Sequence, residues 1–61
     1  MKASDLIQML LDAGWQEVRQ KGSHRIFKHP DFPRTISIPD HGKSDLKIGT
    51  LNAILKQAGL K

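Results

Sequence analysis

The 61-residue sequence contains no cysteine and no tyrosine, and its aromatic residues are one tryptophan and two phenylalanines. Without cysteine, no disulfide holds the chain together, and a zinc finger or a cysteine nucleophile is excluded. We expect Trp15 and Phe27 to be needed for the hydrophobic core. A surface on which several nucleobases stack is therefore not expected, and contacts to phosphate should dominate any binding of nucleic acid.

Long apolar runs are also missing. No stretch approaches the roughly 18 apolar residues of a membrane span. The first residues reach Asp5 with no apolar run behind it, so we expect no signal peptide and a cytoplasmic protein. We expect one domain over residues 1–61, because independent domains rarely fall below about 50 residues. A core of this size leaves no room for a dinucleotide, so we expect no small-molecule cofactor.

Acidic residues are scarce, at six against ten lysines and arginines, and the net charge is +4. Residues 19–29 contain no acid and four cations: Arg19, Lys21, Arg25 and Lys28. Lys43 and Lys47 lie near the start of a predicted helix, whose free N–H groups also favour phosphate. The charge favours an anionic partner. On charge alone, the binding of nucleic acid and an ordinary solvated surface remain about equally consistent with the sequence.

Apolar residues at helical spacing predict a helix over residues 5–13, with Ser4 as N-cap and Gly14 just past its end. A second apolar stripe predicts a C-terminal helix that ends at Gly59, formed by Leu51, Ile54, Leu55 and Ala58. The start of that helix remains open between Asp45 and Thr50, because Gly49 disfavours a helix interior.

Three extended segments lie between the helices. Residues 15–21 and 24–28 flank Gly22-Ser23 and are typical of a β-hairpin, with a positive φ expected at Gly22. Residues 34–38 alternate in polarity and predict a third strand that Pro39 ends, with Ile36 and Ile38 facing the core. The order predicts an α+β domain in which both helices cover one face of a three-stranded antiparallel sheet. The other face would be polar and free to meet RNA.

Two familiar catalytic patterns are not supported. Asp40 and the segment Asp45-Leu46-Lys47 resemble the acids and lysine of metal-dependent nucleases, but only four residues separate the acids and the second group lies in a turn or helix start. The three histidines, at positions 24, 29 and 41, have no spacing that makes them converge, so we predict no metal site.

Ser23 and His24 are neighbours whose side chains point apart on a strand, which disfavours a serine hydrolase. His24 itself lies among cations. Imidazole titrates near neutrality and can take a proton from a ribose 2′-hydroxyl while cations stabilise the attacked phosphate. The more frequent alternative for a lone histidine is a solvated residue at a strand end.

Several segments, in this order, resemble the HicA toxin family. They cover nearly the whole chain: Gly14-Trp15, 18–22, Gly22-Ser23-His24, Ile26-Phe27, 36–43 and 49–60. The resemblance implies a toxin of a bacterial toxin–antitoxin pair that acts as an mRNA interferase, a metal-independent endoribonuclease. It implies a fold similar to double-stranded RNA-binding domains, mRNA as substrate, and a HicB antitoxin as the partner that blocks the active surface.

In that family the catalytic histidine is the one in the Gly-Ser-His motif, which is His24 here. The resemblance implies that Gly22 forms the tight turn and that Ser23 orients or caps the site. The cations add proposed phosphate contacts: Lys21, Arg25, Lys28, Lys43 and Lys47. For His41, a turn-stabilising role and a second acid–base role both remain open.

Two rival functions remain. One is an RNA-binding module that displays a basic sheet and cuts nothing. The other is a protein-interaction domain whose positive face fits an acidic antitoxin.

Overall fold

The computed structural model describes residues 1–40 and 45–61. Their elements, in chain order, are α1 (Ala3–Asp12), β1 (Gln16–Lys21), β2 (His24–Lys28), β3 (Ile36–Pro39) and α2 (Ile48–Gln57). The strands form one antiparallel sheet in the order β1-β2-β3, with β2 in the centre. The predicted α+β architecture of helix, three-stranded antiparallel sheet and helix is confirmed.

The hairpin between β1 and β2 turns at Gly22-Ser23, where Lys21 and His24 form the closing pair. Gly22 has a φ of +58°, and Ser23 does not have a positive φ. A positive φ at the first loop residue alone is the pattern of a type II′ turn, whose twist matches that of the flanking strands. The expected conformation of Gly22 is confirmed.

A β-bulge interrupts the pairing of β1 with β2. Arg19 is opposite Ile26 and Glu17 is opposite Phe27, so Val18 is the extra residue on β1. A bulge of this kind changes which side chains of a strand point to each face of the sheet.

Both helices pack on the same face of the sheet. Phe27 is opposite Ile36, and Ile38 lies two residues farther along β3, so the three side chains share a face. That confirms the prediction for Ile36 and Ile38. Buried residues of α1 and α2 join the same cluster, whose members are Ala3, Leu6, Ile7, Leu10, Trp15, Phe27, Ile36, Ile38, Ile54 and Ala58.

The prediction that Ser4 caps α1 is wrong. The helix begins at Ala3, and the N-cap residue is Lys2, which makes no side-chain capping bond. Ala3 is 1% exposed, and Lys2 pairs with Asp45 in an isolated antiparallel bridge. The burial of Ala3 and the pairing of Lys2 favour a helix that begins at Ala3, one residue before Ser4. These tertiary contacts outweigh the local preference of Ser4 for the N-cap position.

The other boundaries differ less from the prediction. Helix α2 begins at Ile48, between the two predicted starts, so that Gly49 lies in the first turn. The third strand begins at Ile36 and includes Pro39, which pairs with His24. A proline is tolerated there because β3 is an edge strand. Gly14 and Gly59 both have a positive φ just after a helix, as predicted.

No helix in the described part of the chain is both long enough and apolar enough to span a membrane.

The close approach at Gly14 generates a test of the packing after α1. Its φ is +96°, and a Cβ at this position would lie 2.9 Å from His29 Nε2. Gly14→Ala should therefore lower the free energy of unfolding by at least about 1 kcal/mol. The measurement is unfolding in urea.

Gly49→Ala is the matched control, because a Cβ at Gly49 would meet no atom within 4 Å. Since Gly49 lies in a helix, this change should raise stability by up to about 1 kcal/mol. Equal stabilities of the two variants would contradict the packing described for Gly14.

Candidate functional site

His24 is the first residue of the central strand, and its side chain is exposed. It lies opposite Lys21 on β1 and Pro39 on β3. Directly opposed residues on neighbouring strands have Cβ atoms about 4.5–5.5 Å apart. The register therefore places Lys21 beside the imidazole on the same face of the sheet.

The face that carries His24 is opposite the face that packs on the helices. We call it the open face. The register assigns these strand residues to it: Gln16, Arg19, Lys21, His24, Ile26, Lys28, Ser37 and Pro39. None of them is acidic, and three are lysine or arginine. A surface with this composition has a positive potential that attracts polyanions.

The bulge at Val18 explains why the open face lacks a carboxylate. If β1 continued regularly from the Lys21–His24 pair, Glu17 would lie opposite Lys28 on the open face. The extra residue instead places Glu17 opposite Phe27, on the side of the sheet that faces the helices. The bulge thus takes the one acid of β1 away from the face with the histidine.

On the helix side, Glu17 forms a bidentate ion pair with Arg25. Arg25 Nε lies 2.7 Å from Glu17 Oε2, and a terminal guanidinium nitrogen lies 2.9 Å from Oε1. The other terminal nitrogen lies 3.4 Å from Asp40 Oδ2. All three side chains are about 30% exposed. The guanidinium thereby links β1, β2 and the residue that follows β3.

The ion pair affects how both partners bind protons. Hydrogen bonds from Arg25 lower the pKa of Glu17 below its ordinary value, and the positive charge of Arg25 adds to this effect. In return, the hydrogen bond to Glu17, followed by smaller contributions from Asp40, raises the pKa of Arg25. Both groups are therefore charged at neutral pH.

The structure separates the predicted phosphate contacts. Lys21 and Lys28 share the open face with His24. Arg25 lies on the other face and bonds two carboxylates, so its predicted contact with phosphate stays a prediction. Lys47 is exposed at the N-terminal end of α2, off the sheet. Lys43 and His41 lie outside the described residues.

The turn residue Ser23 also has a defined contact. Its backbone carbonyl accepts a hydrogen bond from the amide of Asp40 at 2.6 Å. This bond extends the β2–β3 ladder by one step past Pro39. It fixes the hairpin turn, and with it the strand end that carries His24, against the chain that leaves β3.

Sequence reasoning did not identify the role of His29, which is structural. Its side chain is 12% exposed. Its Nε2 lies 3.1 Å from the carbonyl oxygen of Ala13, and its Nδ1 accepts a bond from the Asp31 amide at 3.0 Å. A carbonyl only accepts and an amide N–H only donates, so this pattern fits a neutral ring with its hydrogen on Nε2. No pattern in the sequence indicates that the His29 ring packs closely against Gly14.

Within residues 1–40 and 45–61, no group of three or more histidine, aspartate or glutamate side chains is placed to hold a metal ion.

A protein-family model described as the HicA toxin of bacterial toxin–antitoxin matches residues 3–60. The match spans both helices, the whole sheet and the open face. A search of curated proteins finds no match.

The ion pair of Glu17 predicts a pH dependence of stability. Because its pKa is lower in the folded protein than its ordinary value of 4.5, the pair stabilises the fold at pH values above that value. This contribution is lost as the pH falls through the folded-state pKa. Glu17→Gln should therefore lose less stability than the wild type between about pH 6 and pH 3, measured by urea unfolding.

Asp12→Asn is the matched control, since Asp12 is exposed and bonds the neutral amide of Gln8. It should follow the pH profile of the wild type more closely than Glu17→Gln does. Parallel profiles for the wild type and Glu17→Gln would show that the ion pair does not contribute.

Proposed function

Because the chain belongs to the HicA toxin family of bacterial toxin–antitoxin pairs, we propose that it is an endoribonuclease that cleaves mRNA and so halts translation and growth. A toxin of such a pair has an antitoxin as its partner, and we propose that this antitoxin is a HicB protein that covers the open face. The site of action would be the bacterial cytoplasm.

The observation that carries the proposal is the exposed His24 on a face to which the described strands contribute no carboxylate. RNA must approach closely for a side chain to reach a ribose hydroxyl, and a carboxylate on the face would repel the phosphates. Lys21 lies opposite His24, and Arg19 and Lys28 lie on the same face. The face therefore combines a proton acceptor with cations that attract the RNA chain.

In the proposed reaction, neutral His24 takes the proton of a 2′-hydroxyl. The ribose oxygen forms a bond to the adjacent phosphorus, and the bond from phosphorus to the 5′-oxygen of the next nucleotide breaks. That oxygen takes a proton from the imidazolium or from water. The products are a 2′,3′-cyclic phosphate and a 5′-hydroxyl. Water then restores neutral His24 if the imidazolium has kept its proton.

Lys21 would stabilise the charge that develops on the phosphoryl oxygens, because it is paired with His24 and shares its face of the sheet. Lysine and arginine side chains supply the positive charge that other nucleases take from a metal ion. We therefore propose a reaction that needs no metal and no cofactor. Because one histidine would serve both proton transfers, we also expect slow turnover.

His24→Ala tests the catalytic assignment. General acid–base catalysis contributes about 10²- to 10⁴-fold to the rate, so cleavage of RNA should fall by about that factor. The melting temperature should stay within a few degrees of the wild type, since the side chain is exposed. Growth arrest on expression should be lost together with cleavage.

Arg19→Gln is the control, because Arg19 lies on the same face but not opposite His24. It should weaken RNA binding and leave the rate of cutting of bound RNA largely unchanged. Cleavage by His24→Ala at the wild-type rate would contradict the assignment. A wild-type protein that binds RNA without cutting it would be an RNA-binding module. No binding even at low salt would favour a protein-interaction domain.

A further inference from the structure

A surface groove adjoins the open face at the end farthest from the hairpin turn. It has a volume of about 730 Å³, within the range of about 300–1,000 Å³ of small-molecule sites. It lies between the end of α1, the paired ends of β1 and β2, and the loop that follows β2. Its lining residues are Gly14, Gln16, Val18, Lys28, His29, Pro30, Phe32 and Pro33.

The groove continues the face that carries the histidine. Gln16 and Lys28 are directly paired across β1 and β2, and both belong to the open face. Lys28 lies four residues after His24 on the same strand, which corresponds to about 13 Å along the sheet. An RNA strand that has a phosphate at His24 and runs along β2 would therefore pass over this groove.

The lining offers the contacts that a nucleobase requires. Val18, Phe32 and the two prolines supply the apolar part of the lining, and Gln16, Lys28 and His29 supply polar groups. The Gln16 carboxamide both donates and accepts hydrogen bonds, as the edge of a base does. Lys28 at the rim supplies charge for the phosphate of the same nucleotide. Single-stranded RNA is commonly bound by this combination of an apolar seat for the base and a cation for the backbone.

Several contacts hold the aromatic part of the groove lining in place. The Phe32 ring packs on Trp15 with centroids 4.9 Å apart and meets the His29 ring edge-on at 5.1 Å. Both nitrogens of His29 are engaged, with the Ala13 carbonyl and the Asp31 amide. Because these side chains are already ordered, the binding of a base in the groove loses less conformational entropy.

A second groove, of about 430 Å³, shares Phe32 and Pro33 with the first but differs from it in position. It lies between the loop before β3 and the end of α2, where Arg34, Ile36 and Gln57 contribute to its lining. Ile36 belongs to the face that packs on the helices. This second groove therefore does not continue the open face, and it provides a site for a control substitution.

We propose that the groove beside Lys28 binds one nucleobase of the RNA substrate, belonging to a nucleotide beyond the two that flank the cleaved bond. This inference rests on the proposed function and adds to it a base-binding subsite. The Gln16 side chain gives this subsite its preference for particular base edges, whereas Lys28 holds the sugar–phosphate chain whatever its sequence.

The test is a titration of ¹⁵N-labelled His24→Ala protein with a short single-stranded RNA and with an abasic chain of the same length. Both probes present the same phosphates, but only the RNA presents bases. The RNA should shift the backbone amide signals of Gly14, Gln16 and Val18 as well as those of the open face. The abasic chain should shift the signals of the open face alone.

Gln16→Glu should lower the affinity for the RNA about tenfold, as expected for the loss of base contacts, and should lower the affinity for the abasic chain less. Gln57→Glu makes the same change of charge in the second groove. It should weaken the binding of both probes equally and only slightly.

Four results would overturn the inference. If the groove signals stay unmoved although the wild type cuts RNA, the subsite is wrong and the proposed function stands. If both probes move the groove signals equally, the groove binds phosphate. If Gln16→Glu weakens binding of the antitoxin but not of RNA, the groove is a protein interface. If neither probe binds, both the subsite and the proposed function fail.

Discussion

The extra residue in β1 controls which charges share a face with His24. Because side chains alternate along a strand, one inserted residue moves every side chain beyond it to the opposite face. Here the insertion at Val18 moves Glu17 to the helix side and Gln16 to the open face. A chain with only a modest excess of positive charge thereby acquires one face whose strand residues include no acid.

The same insertion gives Arg25 its partner. With Glu17 on the helix side, the guanidinium makes two short bonds to the carboxylate and a longer one to Asp40. One side chain thus connects the edge strand, the central strand and the chain beyond β3. The ion pair is only partly buried, so we expect it to affect overall stability less than the relative placement of the strand ends around His24.

The architecture was predictable because it depends on local patterns. Three local patterns predict the same local structure whatever the rest of the chain does. They are the helical spacing of apolar residues, the alternation at Ile36 and Ile38, and the glycines at positions 14, 22 and 59. The start of α1 was not predictable from Ser4, because it depends on a pairing between Lys2 and the distant Asp45.

The site was predictable only in part. His24, Lys21 and Lys28 were proposed from their residue types and from the chain's resemblance to a family, but their common face depends on the register and on the bulge. Arg25 looked equivalent to Lys21 and Lys28 in the sequence, and only the structure shows its two carboxylate partners. His29 looked like a free histidine because its partner atoms are backbone groups, which carry no sequence signal.

The central claim is that His24 and its neighbouring cations let a ribose oxygen attack its own phosphate without a metal ion. The most direct test is to analyse the ends of RNA cut by the protein in the presence of EDTA. The account predicts undiminished cleavage that leaves a 2′,3′-cyclic phosphate, or the 3′-phosphate formed from it, and a 5′-hydroxyl. Products with a 5′-phosphate, or cleavage that stops in EDTA, would contradict it.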